Sequence, residues 1–137
     1  MFASEYDVLG QTLRVICIAR SANIIRETDV YKAIERVARP RGWRYYRVEN
    51  KLQNGFPDIT VFKGPQYWFI EAKKLRKKTF QSPVDDLKWQ PGQLDFLLRA
   101  LASKSNYMLA VGVSPNYIAY LAGVYCGPDL PDFIAAS

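Results

Sequence analysis

Apolar positions along this chain change period several times, and each change marks a different element. Between residues 5 and 20, Tyr6, Leu9, Leu13, Ile16 and Cys17 recur at roughly helical spacing, which predicts a helix. Thr28-Asp29 then opens a second helix, with Val30, Ile34, Val37 and Ala38 on its inner side and Pro40 and Gly42 at its end. Residues 43–48 are dense in aromatics and read as a strand. Residues 59–62 and 67–70 read as strands around the turn Lys63-Gly64-Pro65-Gln66. The stretch 73–88 is polar, basic and broken by Pro83, so it reads as a loop. Pro91 suits the first position of a helix, and Leu94, Leu97, Leu98 and Leu101 give that helix one apolar face. Strands over 107–113 and 117–121, around Ser114-Pro115-Asn116, complete the order (α)αβββαββ. That order predicts a single α/β domain with a mixed sheet flanked by helices.

Composition narrows the chemistry. At 137 residues, 49% of them apolar, the chain holds one domain with a substantial core and is no disordered segment. It has no histidine, and its two cysteines, Cys17 and Cys126, form no CxxC pair. A zinc site, a histidine-based triad and a disulfide framework are thereby excluded. Any metal is expected to be a hard cation held by oxygen. The net charge of +6, with pI ≈ 9.4, points to a polyanionic partner, most simply nucleic acid. No apolar run is long enough for a membrane span or a signal peptide, so a cytoplasmic location without membrane contact is expected.

The chemistry-bearing residues are Asp58, in Gly55-Phe56-Pro57-Asp58, and Glu71-Ala72-Lys73, thirteen positions further on. A hairpin centred between Gly64 and Pro65 pairs positions whose numbers sum to 129, which sets Asp58 opposite Glu71. Lys73 shares their face by the two-residue period of a strand, while Ile70 and Ala72 point to the other. Two carboxylates so placed can share Mg²⁺, with the Ala72 carbonyl as a further ligand and phosphate or water oxygens completing the shell. Lys73 can orient a water or neutralise charge developing on a phosphate. The combination suits phosphodiester hydrolysis.

These residues resemble the signature of the PD-(D/E)XK nuclease superfamily, and the Gly-x-Pro-Asp turn is similar to that of its VRR-NUC branch, the virus-type replication-repair nucleases. The resemblance covers roughly residues 25 to 121. It implies an αβββαβ core, Mg²⁺ with Mn²⁺ as substitute, and cleavage of DNA. It also implies that Gln93, opening the helix after Gln90-Pro91-Gly92, completes the motif. An acidic residue on the first core helix is implied as well, with Glu27 the better fit and Glu35 its rival. Small viral members are similar to Holliday-junction resolvases, which implies a homodimer on branched DNA in replication, recombination or repair, in the host cytoplasm. On this reading residues 1–24 are an N-terminal helical extension, 25–125 the nuclease domain and 126–137 a tail.

Two other outcomes fit the same residues. One is a nuclease for linear duplex or DNA ends; the other is a basic nucleic-acid-binding module without catalysis. The run Lys74, Arg76, Lys77 and Lys78 is either a solvated face or a track for the phosphate backbone, and Arg41 and Arg44 near the Gly42 turn can extend it. Among Trp43, Tyr45 and Tyr46, core packing is the more common role than base stacking. Pro131-Asp132 lacks a following strand and reads as a tail turn.

Overall fold

The structure is a computed structural model and describes residues 5–20, 23–48, 55–75, 81–114, 116–123 and 130–134. Seven strands are described: β1 Glu5–Val8, β2 Gln11–Arg20, β3 Arg44–Arg47, β4 Ile59–Lys63, β5 Gln66–Lys74, β6 Tyr107–Ser114 and β7 Tyr117–Gly123. They form one sheet in the order β1-β2-β7-β6-β5-β4-β3. Only β5 and β6 run parallel, so the sheet is mixed, as expected. Three α-helices are described, α1 Glu27–Ala38, α2 Pro83–Asp86 and α3 Gln93–Ala102, and a 3-10 turn, Arg39–Arg41, follows α1.

The first segment corrects the sequence reading. Residues 5–20 are a β-hairpin, not a helical extension, and β2 joins the sheet beside β7. Tyr6 and Val8 are buried and alternate with exposed Glu5 and Asp7, the period of a strand. Leu9 and Gly10 form the two-residue turn, both with positive φ (47° and 85°), the geometry that matches the twist of a tight hairpin. Leu9 is 71% exposed, so it is a turn residue rather than a core one. A bulge between Val15 and Cys17 then shifts the pairing by one residue, so that Val15 faces one core and Ala19, four residues on, faces the other. The turn and the bulge together imitate a helical period.

α1 forms where the pattern predicts. Asp29 receives the backbone N–H groups of Ile25 and Arg26, each at 2.8 Å, which holds the entering chain against the first turn. Its inner side, Val30, Ile34 and Ala38, packs with Ile70 and Ala72 of β5. α3 covers the other face, where Leu97 and Leu101 are buried among Leu109, Val111 and Leu121. Leu94 and Leu98 pack at the margin of that cluster. Pro91 does not open α3; it lies in the turn before it, and Gln93 is the first helical residue. The expected 73–88 loop holds the end of β5 and the short α2. At the tail, Phe133 and Ile134 are buried, and Trp43 donates its indole N–H to Asp132 at 2.8 Å. No helix among the described residues is long and apolar enough to cross a membrane.

Candidate metal and phosphate site

The β4–β5 pairing runs from Lys63↔Gln66 to Ile59↔Ile70 and stops there, while β5 continues to Lys74 against β6 alone. Asp58 therefore lies one step beyond the last pair instead of within the ladder. Because β4 begins only at Ile59, a notch opens beside the end of β5. Phe69 N–H donates to the Asn106 carbonyl, and Leu75 N–H donates to the Gly112 carbonyl, both toward β6. By alternation, the backbone of Ala72 turns the other way, into the notch that β4 leaves.

Glu71 and Lys73 share the face covered by α3, and both side chains are almost fully buried. Lys73 Nζ donates to Gln93 Oε1 at 2.6 Å, and Gln93 Nε2 donates to Glu71 Oε2 at 3.3 Å. The ammonium lies 3.8 Å from Glu71 Oε2 and 5.2 Å from the centre of the Trp89 ring. Gln93 is held in turn by the backbone N–H of Gln90, which donates to the same Oε1 at 2.8 Å. One amide thus spans the acid and the base. Its place at the start of α3 is fixed from outside: a Cβ on Gly55 would fall 2.1 Å from the carbonyl carbon and oxygen of Gly92 and 2.7 Å from Gln93 N. Only glycine lets the Gly55–Asp58 loop lie against that helix start.

From the other side, α1 delivers Tyr31 and Glu27. Tyr31 Oη donates to Asp58 Oδ2 at 2.9 Å. Burial, then the neighbouring Asp58 carboxylate, pushes the Tyr31 phenol well above its usual range, so it stays a donor. The Arg47 guanidinium sits 4.3 Å over the Tyr31 ring. Glu27 has its carboxyl pKa raised chiefly by burial; Lys73 lowers it, Asp58 raises it and Lys88 lowers it. Glu27, Tyr31, Asp58, Lys73 and Gln93 line one cleft of about 400 Å³ with Gly55, Gln90 and Pro91. Glu71, 1% exposed, does not line that cleft; it lies behind Lys73 and Gln93, joined to both.

The structure therefore brings Asp58, Glu71, Lys73, Gln93 and Glu27 together. Glu35 points away, ion-paired with Arg39 at 2.5 Å. Lys74 is half-buried on the opposite face from Lys73, with its Nζ 3.4 Å from the Leu75 carbonyl. Arg41 and Arg44 are exposed; Arg76, Lys77 and Lys78 lie outside the described residues. Sequence reasoning missed Tyr31, which an apolar stripe on α1 disguises as core, and Trp89, whose only signal is its nearness to Gln90.

The donor set suits Mg²⁺: carboxylates from different elements, an outward backbone carbonyl and no histidine. Among the described residues no three acidic, cysteine or histidine side chains close in enough to hold an ion unaided. A cation here would rest on two carboxylates at most, with substrate and water oxygens supplying the rest, which is the sparse shell Mg²⁺ accepts. No family model, curated protein or solved structure matches the chain.

Proposed function

We propose that this protein is a divalent-metal-dependent DNA endonuclease of the PD-(D/E)XK kind, close to the VRR-NUC branch. Its substrate is branched DNA such as a Holliday junction, cut by a homodimer during viral replication, recombination or repair. The observation that carries the reading is the convergence of Asp58, Lys73 and Gln93 on one cleft at the start of β4, with Glu71 hydrogen-bonded to Gln93 behind them, from residues up to 35 positions apart in sequence.

In this reading Asp58, Glu71 and the Ala72 carbonyl hold Mg²⁺, or Mn²⁺ in its place. The ion supplies Lewis acidity at a phosphate oxygen and lowers the pKa of a water. Lys73 neutralises charge developing on the phosphate, and the Gln93 amide keeps its ammonium aimed. Tyr31 orients the Asp58 carboxylate. Two equivalent strands at a junction match two equivalent sites in a two-fold dimer. β1, at one edge of the sheet, is a candidate contact between copies.

The deep burial of Lys73 and Glu71 favours one competing reading, a binding module in which the Lys73–Gln93–Glu71 trio is structural. Junction, flap, splayed and linear DNA, each incubated with Mg²⁺, Ca²⁺ or EDTA, separate the two. The nuclease cuts with Mg²⁺ alone and prefers junctions, and Asp58→Asn abolishes cutting. Cleavage by Asp58→Asn at the wild-type rate would refute the site. Preference for linear DNA or ends would move the substrate class and leave the site standing.

A further inference from the structure

The sheet face that carries Glu71 and Lys73 is only partly covered. On β3, β4 and β5 that face presents Arg44, Tyr46, Thr60, Phe62, Tyr67 and Phe69, by register and alternation. α3 reaches as far as Phe69, whose ring meets Phe96 at 5.9 Å and Phe56 at 5.7 Å. Beyond Phe69 no described helix covers the sheet. Tyr46, Phe62 and Tyr67 stand 50%, 36% and 40% exposed. Tyr46 and Phe62 are stacked within 14° of parallel at 5.5 Å, so they form an offset aromatic stack to which a further planar ring can add. Phe62 is paired with exposed Arg44 on one side and with Tyr67 on the other.

Three rings exposed at once are costly in water, and their neighbours decide what suits them. The described part of this face has no acidic side chain between Arg44 and the cleft, where Asp58 and Glu71 begin. Phe62 stands four residue steps along the strand from Asp58, about 13 Å. A cation beside flat aromatics, in line with a site for phosphate chemistry, is the arrangement that holds unpaired bases and their backbone together. A second protein copy would be served by the rings, but has no need of their alignment with the cleft.

We propose that Tyr46, Phe62 and Tyr67, flanked by Arg44, form a stacking platform for the unpaired bases of single-stranded DNA entering the cleft. The nuclease reading supplies what happens at Asp58; the platform supplies how a strand is held on its way there. Within branched DNA, it favours forms with splayed or single-stranded bases beside the cleavage point over a fully paired junction. Trp43 and Tyr45, whose side chains are buried, take no part.

The test measures anisotropy of fluorescein-labelled 15-mer DNA in EDTA, so that binding is read without cleavage. Three probes are compared: the single strand, its blunt duplex, and an abasic strand with the same phosphates. Wild-type protein should bind the base-bearing strand on the order of ten- to a hundredfold more tightly than the abasic one. Tyr46→Ala/Phe62→Ala should erase that margin while leaving duplex and abasic affinities unchanged, and Tyr46→Trp should keep it. Arg44→Ala should weaken all three probes alike. Photocrosslinking of unaltered protein to an iodouracil-bearing strand, with adducts mapped to Tyr46, Phe62 or Tyr67, gives a reading that needs no variant. Equal wild-type affinity for the base-bearing and abasic strands overturns the proposal, as do adducts mapped only elsewhere. So does a dimer, seen by light scattering, that the double substitution dissociates without touching base-dependent binding. Base-dependent binding without Mg²⁺-dependent cleavage leaves the platform standing and sinks the nuclease; cleavage without base dependence does the reverse.

Discussion

Tyr31 and Asp58 are joined by a 2.9 Å hydrogen bond between α1, which packs on one face of the sheet, and the residue just before β4. Because β4 begins only at Ile59, the phenol can reach past the sheet edge to a carboxylate that otherwise faces the cleft. The contact ties the helix to the loop that presents Asp58. Its energetic weight is that of a hydrogen bond to a charged group, roughly 1.5–3 kcal/mol.

That bond sets an alkaline limit. The Tyr31 phenol has its pKa raised above the usual 10.0 by burial and by Asp58, so the folded state keeps its proton where the unfolded chain loses it. The associated stability is fully present below pH 10.0 and falls as pH rises from there through the folded value. Tyr31→Phe should remove this contribution to alkaline unfolding and cost stability at neutral pH. Urea midpoints taken from pH 7 to 11 would show it as a shallower decline in the variant. A decline identical to wild type would mean that Tyr31 does not couple to alkaline unfolding.

Glu27 predicts a pH dependence in the carboxylate range. Its carboxyl has a pKa raised above 4.5, with burial the leading cause, so the folded protein holds that proton more tightly than the unfolded chain. Stability is unimpaired below 4.5 and declines as pH rises through the folded value. Glu27→Gln has no such decline. The variant's thermal midpoint should therefore gain on wild type from pH 4.5 upward, and Mg²⁺ should narrow the gap because a cation favours the ionised form. Parallel curves at all pH values would remove Glu27 from the electrostatics of the site.

Lys73 and Glu71 should prove inseparable in stability as well as in chemistry. Both are almost fully buried, 3.8 Å apart and bridged by Gln93. Lys73→Met takes the ammonium from a buried carboxylate, which costs on the order of 3–5 kcal/mol. Lys73→Met/Glu71→Gln should cost clearly less than the sum of the single changes, and chemical denaturation of all four proteins measures that coupling. Strict additivity would mean that the pair is not coupled. The sequence alone leads to a different expectation, that Lys73→Ala spares the fold, because burial is invisible in an ExK motif. Asp58→Asn, at a half-exposed position, is the cleaner probe of chemistry.

Much of the site was legible because its logic is local. The sum-of-129 register follows from a two-residue turn at Gly64-Pro65, and alternation then puts Glu71 and Lys73 on one face. Gln93 entered through resemblance and is found hydrogen-bonded to both. What escaped depends on the third dimension. Residues 5–20 were misread because a turn leucine and a bulge at Ile16 fell at helical intervals. Tyr31 was hidden because its ring is part of the apolar side of α1 while its hydroxyl works at Asp58. The start of β4 at Ile59 was legible, because a strand-favouring isoleucine follows a strand-disfavouring aspartate, but the register extrapolated the ladder one pair too far, to Asp58 and Glu71.

Gly55 offers the sharpest check on how the site is assembled. Its φ of +87° already disfavours any other residue by roughly 1–3 kcal/mol. In addition, a Cβ would overlap the Gly92 carbonyl at 2.1 Å and crowd Gln93 N at 2.7 Å, and these are backbone atoms that cannot rotate away. Gly55→Ala must push the loop from α3, which moves Asp58 relative to Gln93 and, through Gln93, the Lys73 ammonium. Gly64→Ala is the matched control: its φ is +58°, but its Cβ would meet open space within the described structure. Urea denaturation should find Gly55→Ala the less stable by well over the backbone cost alone. Cleavage under conditions where both variants remain folded should be lost in Gly55→Ala and kept in Gly64→Ala. Equal behaviour of the two would mean that the Gly55–Gly92 contact does not set the geometry of the cleft.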